Sequence, residues 1–456
     1  MIRTSDFDSR FRTALDRLKA AGRLDLVRRE VDPELEIAGL MKHHDGGHAL
    51  FFEHIKGHGV PLIGNLLAST ANCEAAFGLD RNGIRARIAE ALAKPIAPRV
   101  IPAGASQEIV RRGGFDLGRD LPVLWHAPGD AGRFITAGVV IARDPRTGIA
   151  NASYHRLQLL GPDRTAIRLD HGRHLRAAYE AARALGVDLP ISVALGADLA
   201  LAFAAAFMGS QMPIDADELA AAGGFRGTGL DLVRCVSQDV VAPADAEIIL
   251  EGVLTGELTH EGPFAEFVGY QSDAGPAPVF QVTALTHRRE PIYTAINGAG
   301  RETIMLRKYV LEASALRAMQ AAVPIVQDVE MTPGGLYRFH LVAQVRKLSE
   351  RDEGLQRNAM LAAFAALKDL DQVIVVDDDI DLRDPSEVEY AIATRMEASR
   401  DLILIPGARG HEYVRVSDGG IRTKLGIDAT IPFTSRERFR RARFADVRPL
   451  APEDLR

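Results

Sequence analysis

The sequence predicts a mixed α/β (α+β) fold in three domains, with an α/β unit at each end and a β-rich barrel or sandwich between them. Three observations carry this. The chain has 456 residues, more than one simple core accommodates. Helix-like and strand-like periodicities alternate in the first hundred residues and again beyond residue 310. From Pro122 onward the strands are short and interrupted by glycine and proline. These shifts place the domains at 1–115, 116–310 and 311–456.

Taken in order, Phe11 to Ala21 has helical spacing, Ala49–Glu53 reads as a strand, and Val60–Leu66 follows a glycine turn. The central segment contributes strand patterns at Arg133–Ala142, Ala166–Leu169, Glu247–Gly252 and Val279–Leu285, with a helix from His174 to Leu185. The most apolar stretch, Ile191 to Met212, holds Asp198 and a break at Gly196. It therefore reads as a buried strand followed by a helix and is too interrupted to span a bilayer. In the third domain a helix Leu311–Ala322, a strand Pro324–Val329, a helix Gln356–Leu370 and a strand Gln372–Val376 follow one another. Beyond Thr434 six arginines precede Pro449, and the tail is expected to form a terminal helix that is solvated or contacts another subunit.

Composition excludes several classes. With 47% hydrophobic and 25% charged residues the chain is neither disordered nor fibrous, and its net charge of -6 argues against a nucleic-acid partner. Two cysteines, Cys73 and Cys235, support neither a disulfide framework nor a zinc ribbon and fit a reducing, cytoplasmic setting. The N-terminus lacks the apolar core of a signal peptide, so no membrane association is expected.

The most informative run is Thr259-His260-Glu261-Gly262-Pro263-Phe264-Ala265-Glu266-Phe267-Val268-Gly269-Tyr270. Gly262-Pro263 cannot continue a helix, so the segment is a strand-to-loop turn able to aim Glu261 and Glu266 at one site for acid/base work. A second constellation joins Asn151, Arg156, His174 and Glu218. An amide oxygen, an imidazole and a carboxylate suit a hard divalent ion such as Mn²⁺ or Mg²⁺. On the residues alone, Asn151 and His174 serve equally well as caps, and Glu218 as an acidic first helical turn. The run Asp377–Asp381 lacks the loop glycine and terminal glutamate of a calcium hand and reads as a strand-end loop.

In order and spacing the chain resembles the UbiD-type family of prenylated-flavin-dependent decarboxylases. The resemblance runs through Leu121-Pro122, Asp130-x-Gly132-x-x-Ile135-Thr136, Asn151-x4-Arg156, Arg173-His174, Ser210-Gln211-Met212-Pro213-Ile214 and Glu218. It continues through Glu251-Gly252, Glu261-Gly262-Pro263-Phe264-x-Glu266-x-x-Gly269-Tyr270, Asp378-Asp379-Ile380-Asp381 and Lys424-x-Gly426-x-Asp428-Ala429-Thr430.

The resemblance implies that the central domain is a split β-barrel binding prenylated FMN. Asn151, His174 and Glu218 would hold a Mn²⁺ that clamps the flavin phosphate, with Lys424 as a further phosphate contact. Ala152, Ser210, Met212 and Glu218 would hold K⁺. Ser153, Tyr154, His155, Arg156 and Arg173 complete the implied cofactor site. Arg156, Glu261 and Glu266 match the family's catalytic triad, with Glu266 as proton donor and Arg156 beside Glu261 holding the substrate carboxylate. The prenyl-modified isoalloxazine supplies an azomethine ylide into which the electrons of the departing CO₂ are delocalised. A flavin prenyltransferase is implied as cofactor supplier, and the chain is expected to form a homodimer or homohexamer.

The substrate wall departs from the pattern. Relatives carry Glu-His followed by Leu-Gly where this chain has Glu302-Thr303-Ile304-Met305-Leu306-Arg307-Lys308. Thr303 and Leu311 stand where relatives acting on furan dicarboxylates place a histidine and an arginine. Thr303, Met305 and Arg307 are expected to shape the pocket for a monocarboxylated aromatic or heteroaromatic acid, ahead of cinnamic-type acrylic acids or a polyprenyl-hydroxybenzoate. Arg301, Arg307 and Lys308 either recognise another anionic substituent or face solvent. A metal hydrolase active without flavin, and a flavin carrier without activity, are the alternatives from other classes.

Overall fold

The computed structural model describes residues 7–170, 172–207, 216–442, 444–445 and 447. Its centre is a nine-stranded half-barrel in which every neighbouring pair is antiparallel. The order runs Phe134–Ile135, Leu157–Leu159, Arg164–Ile167, Gly275–His287, Ile248–Glu261, Leu189–Leu195, Val139–Arg143 and Ala150–Tyr154, with Ile109–Arg111 also on Gly275–His287. Two long strands, Ile248–Glu261 and Gly275–His287, form its spine. Their register slips at Glu251/Gly252 and again between Leu254 and Leu258. A side chain at Gly252 would meet the Gln281 carbonyl oxygen at 2.0 Å, so only glycine admits this close approach.

A four-stranded sheet, Leu24–Val27, Ala49–Phe52, Leu62–Gly64 and Tyr293–Thr294, leads the chain. Its last strand comes from the far end of the barrel segment and pairs in parallel with Leu62–Gly64, tying the first two domains together. The third domain is a five-stranded sheet in the order Val326–Met331, His340–Val345, Gln372–Asp377, Ile421–Ala429 and Leu402–Arg409. Its three central strands are parallel and apolar, as buried strands between helices must be.

The long helix Arg301–Ala322 joins the barrel to this sheet, and the expected boundary at residue 310 falls inside it. It begins ten residues earlier than the spacing from Leu311 suggested. Glu302, Lys308 and Glu312 break the apolar periodicity yet are buried. Lys308 pairs with Glu312 and, at 2.8 Å, with Glu330, while the Glu302 carboxyl accepts from Leu67 N–H at 2.8 Å.

The expected terminal helix is not found among the described residues. Phe433–Phe439 forms a single 3₁₀ segment with no buried side chain. Arginines of this stretch bind within the same chain: Arg436 Nη2 donates to the Lys347 carbonyl (2.7 Å), and Arg441, just beyond the segment, pairs with Glu387 (2.8 Å). A segment without an apolar stripe has nothing to drive helix packing. In the Asp377–Asp381 loop, Arg395 pairs with Asp377 and Asp379 at 3.0 and 2.7 Å, and Arg346 with Asp378 at 2.6 Å, so those carboxylates are structural.

Candidate active site

Arg156 lies in the turn between the strands Ala150–Tyr154 and Leu157–Leu159, facing the end of Ile248–Glu261. Its Nε and Nη2 donate to the two oxygens of Glu261 at 2.6 and 3.0 Å. Nη1 donates to Glu266, and Nη2 reaches Ser272 Oγ at 3.3 Å. The planar guanidinium fork suits this double recognition, and the Phe264 ring lies 4.8 Å beneath it. The sequence pairing of Glu261 with Glu266 is thus realised in space.

The Gly262–Tyr270 turn is over-determined by backbone bonds. The Gly262–Pro263 peptide is cis. Gly262 N–H donates to Gln158 Oε1 (2.9 Å), Ala265 N–H to Asp130 Oδ1 (2.9 Å), and Glu266 N–H to the Tyr270 carbonyl (2.9 Å). Gly298 closes the turn from the other side, where a Cβ would meet the Ala265 oxygen at 2.2 Å. Burial raises the Glu266 pKa, and Arg156 opposes the rise without cancelling it. Burial also disfavours the Arg156 cation, but the two carboxylates outweigh that and hold it charged.

Arg156 and Glu266 open into a cavity of about 180 Å³ that Tyr154, His155, Arg173, Thr303 and Arg307 also line. A second cavity of about 140 Å³ holds Asn151, Ala152, Ser153, His174 and Glu218, and it shares Tyr154, His155, Asp170, Arg173 and Arg307 with the first. At its floor Asn151 Nδ2 donates to Glu218 Oε1 (3.1 Å), Ala152 N–H donates to Glu218 Oε2 (3.1 Å), and His174 Nδ1 stands 3.4 Å from Glu218 Oε1. Asn151, His174 and Glu218 therefore converge. Among the described residues no cluster of three His, Cys, Asp or Glu could hold a metal, and the Asn151, His174 and Glu218 set falls outside that pattern because its third member is an amide. Ligation by the Asn151 oxygen needs the amide turned over from its present bond to Glu218. Ser210 and Met212, expected around K⁺, lie outside the described residues.

His155 is fixed as a neutral ring: burial lowers its pKa, Nδ1 donates to the Arg168 carbonyl at 2.9 Å and Nε2 meets Ser153 Oγ at 3.0 Å. The two cavities thus share five lining residues, with Asn151, His174 and Glu218 in one and Arg156 with Glu266 in the other.

Two expected site residues lie elsewhere. Lys424 points into the third domain, where Nζ donates to the carbonyls of Lys368 (2.8 Å) and Leu370 (2.5 Å) and lies 5.6 Å from the Phe364 ring centre. It is a structural ammonium and no phosphate contact. Met305 is fully buried in the core. Thr303 and Arg307, one helical turn apart, face the cavity, whereas Met305 lies about 200° around the helix from either. Arg301 is exposed and packs over Gly46, and Lys308 is consumed by its ion pairs.

Sequence reasoning missed the wall contributed by the third domain. Phe267 packs against Phe339 (6.2 Å), His411 (5.7 Å) and Tyr413 (6.0 Å). Tyr413 Oη donates to Asp170 at 3.0 Å and so bridges that wall to the barrel. Arg338 pairs with Asp369 at 2.6 Å, and burial together with Arg338 pushes His411 down to about 3, leaving it neutral. Lone residues in turns carry no periodicity that would have singled them out.

Family models described as the N-terminal, Rift-related and C-terminal domains of 3-octaprenyl-4-hydroxybenzoate carboxy-lyase match residues 15–92, 100–301 and 304–429. The anhydromevalonate phosphate decarboxylase of Methanothermobacter thermautotrophicus is 37% identical over 418 residues, covering 91% of this chain and 96% of that protein. The gallate decarboxylase of Lactiplantibacillus plantarum is 31% identical over 455 residues, covering 92% and 93%. Among solved structures, the UbiD-class enzyme HmfF from Pelotomaculum thermopropionicum, in complex with FMN, superposes with a TM-score of 0.90 at 40% identity, over 95% of this chain and 97% of that one. An evolved dimeric form of HmfF, in complex with prFMN, gives 0.89 at 38% identity over 98% and 100%.

A carboxylate-bridging arginine in a half-barrel whose relatives are decarboxylases defines a carboxy-lyase of the flavin-binding kind. The chain belongs to the UbiD family.

Proposed function

We propose that this protein catalyses the reversible, non-oxidative decarboxylation of an α,β-unsaturated acid of the aromatic or heteroaromatic type, with prenylated FMN as cofactor. The observation that carries the reading is Arg156 joined at once to Glu261 and Glu266 at the mouth of a cavity a flavin would fill. Asn151, His174 and Glu218 would hold Mn²⁺ at the phosphate end, with Ala152 and Glu218 toward K⁺, and Arg173 would face the phosphate. When bound, prenylated FMN supplies the electron sink that the loss of CO₂ requires.

The chain's own residues then do three things. Arg156, locked by Glu261 and by the ring beneath it, presents its remaining Nη1 N–H to the substrate carboxylate. Glu266, whose pKa burial raises, accepts from Arg156 at Oε1 and would carry its proton at Oε2. That proton passes to the carbon from which CO₂ leaves, so RCOO⁻ and H⁺ become RH and CO₂, and the reverse sequence takes the proton back. The aromatic wall of Phe267, Phe339, His411 and Tyr413 excludes water from the reacting face. We place the protein in the cytoplasm as a homodimer or homohexamer, supplied with cofactor by a flavin prenyltransferase; no described helix is long and apolar enough to cross a membrane.

The test is expression with and without such a prenyltransferase, in Mn²⁺ and K⁺, followed by CO₂ release and hydrogen/deuterium exchange on a panel of unsaturated acids. Turnover only in the co-expressed preparation is expected. Equal activity without prenylation, or full activity in a flavin-free preparation, overturns the proposal, the latter in favour of a metal hydrolase.

A further inference from the structure

Five arginines line the larger cavity, and they differ in how their charge is met. Arg156 serves Glu261 and Glu266, Arg338 pairs with Asp369, and Arg168 stands 3.7 Å from Asp170. Arg173, beside His174, and Arg307 both line the second cavity as well, and Arg173 has no carboxylate within ion-pair distance among the described residues. Arg307 has no carboxylate within ion-pair distance among the described residues, and its one close neighbour of note is the Phe267 ring, 6.0 Å away. Burial lowers its pKa to about 9, and the like charges of Arg338 and Arg173 add to the fall. A guanidinium so placed is costly in the free protein and calls for an anion.

Position decides which anion. Arg307 lies one turn beyond Thr303 in the helix Arg301–Ala322, on the same face and toward the cavity. Thr303 Oγ1 donates to the Asn297 carbonyl at 2.8 Å, so toward the cavity it offers only acceptor lone pairs, and Arg307 is the donor on that face. The reacting carboxylate is already provided for by Arg156, whose neighbour Glu266 must deliver the proton. From the third-domain side His411 is neutral and Asp369, which does favour the Arg307 cation, is paired with Arg338.

We propose that the substrate carries a second anionic group, a carboxylate or a phosphate, which Arg307 binds while Arg156 holds the carboxylate that is lost. This deepens the function proposed above and replaces the monocarboxylated acid favoured by the sequence. It rests on that function for the identity of the reacting end. Loss of His and Arg at the Thr303 and Leu311 positions does not empty the wall of positive charge, because Arg307, one turn from Thr303, restores it.

The experiment measures binding and turnover separately on FMN-loaded and prenylated-FMN-loaded protein. The probes are two matched pairs: anhydromevalonate phosphate with anhydromevalonate, and furan-2,5-dicarboxylate with furan-2-carboxylate. Equilibrium dialysis should show the dianionic member of at least one pair bound about tenfold or more tighter. Which pair responds tells phosphate from carboxylate. Arg307→Gln should abolish the discrimination, Arg307→Lys should restore part of it, and FMN retention should be unchanged in both. Equal binding or no binding within both pairs overturns the inference, as does loss of FMN from Arg307→Gln, which would assign Arg307 to the cofactor phosphate. Discrimination without CO₂ release or isotope exchange would leave this inference standing while the proposed reaction fails.

Discussion

Replacing Glu266 by glutamine isolates the proton-delivery step. The amide keeps the shape of the carboxyl and an oxygen able to accept from Arg156, and the backbone bond from Glu266 N–H to the Tyr270 carbonyl, 2.9 Å, is untouched. What disappears is the transferable proton at Oε2. A positioned acid contributes roughly 10²- to 10⁴-fold, about 3–5 kcal/mol of barrier at 1.36 kcal/mol per decade, and that is the expected loss in CO₂ release. Arg156 keeps its bidentate pair with Glu261, and Glu266 is the more exposed of the two carboxylates, so fold stability should change by less than about 1 kcal/mol. Single-turnover CO₂ release and deuterium incorporation at the product carbon, normalised to flavin content, read the step directly. The pH profile supplies an independent check. Burial raises the folded pKa of Glu266, so the active protonated form persists above the ordinary carboxylate range and is lost as pH rises through the folded value. The wild type should show that alkaline limb and Glu266→Gln should lack it. A fall smaller than about tenfold, or an identical alkaline limb in the variant, would refute the assignment.

Three further outcomes follow from the packing. Burial raises Glu302 from 4.5 to about 8, while its Oε1 accepts from Leu67 N–H at 2.8 Å; the neutral carboxyl's stabilisation is complete below 4.5, declines between 4.5 and 8 and is gone above. Thermal denaturation against pH should therefore show Glu302→Gln flattening that window, by on the order of 4 kcal/mol between its ends; a parallel profile would count against a neutral Glu302. Lys424→Met, which leaves the Lys368 and Leu370 carbonyls without their donor, should cost about 1–3 kcal/mol in urea denaturation and leave FMN affinity unaltered; weakened FMN binding in the folded variant would return Lys424 to the cofactor. Gly298→Ala presses a methyl against the Ala265 oxygen and the Phe264 ring, displacing the residue before Glu266, so CO₂ release should fall about 10²-fold while the flavin is retained. Unchanged turnover would mean that the turn moves freely.

What the sequence revealed and what it hid divide along a physical line. Part of the half-barrel and the strand Gln372–Asp377 at the centre of the third domain were legible because burial imposes period and apolarity on contiguous residues, whereas Ala150–Tyr154, Leu157–Leu159, His340–Val345 and Ile421–Ala429 were not singled out. The Glu261–Glu266 turn was legible because Gly262-Pro263 rules out a helix across it. Convergence of Asn151, His174 and Glu218 could be expected only from the order of many short motifs, since each residue alone would serve as well in a cap or a first helical turn. The start of the helix at Arg301 was obscured by Glu302, Lys308 and Glu312, buried polar residues partnered by one another and by Leu67 and Glu330 from distant segments. Lys424 and Met305 were misplaced for a related reason. A motif position says which strand or helix a residue occupies, whereas the direction of its side chain depends on register: Lys424 turns to a pair of carbonyls in its own domain and Met305 to the core.

The same reasoning explains why the chemistry and the specificity of this site differ in how openly they are written. The proposed decarboxylation uses an arginine and two carboxylates locked in one geometry, and the turn that carries the carboxylates is constrained residue by residue, down to the bonds its N–H groups donate to Gln158 and Asp130. Choice of acid needs only that complementary charge reach the far side of the cavity, and several helix and turn positions can supply it. Here the supply falls to Arg307, one turn beyond Thr303, with Arg338 balanced by Asp369 and His411 held neutral beside it. On the proposed reading Arg307 is held for the ligand, so a substrate wall that looks depleted by motif comparison still carries positive charge.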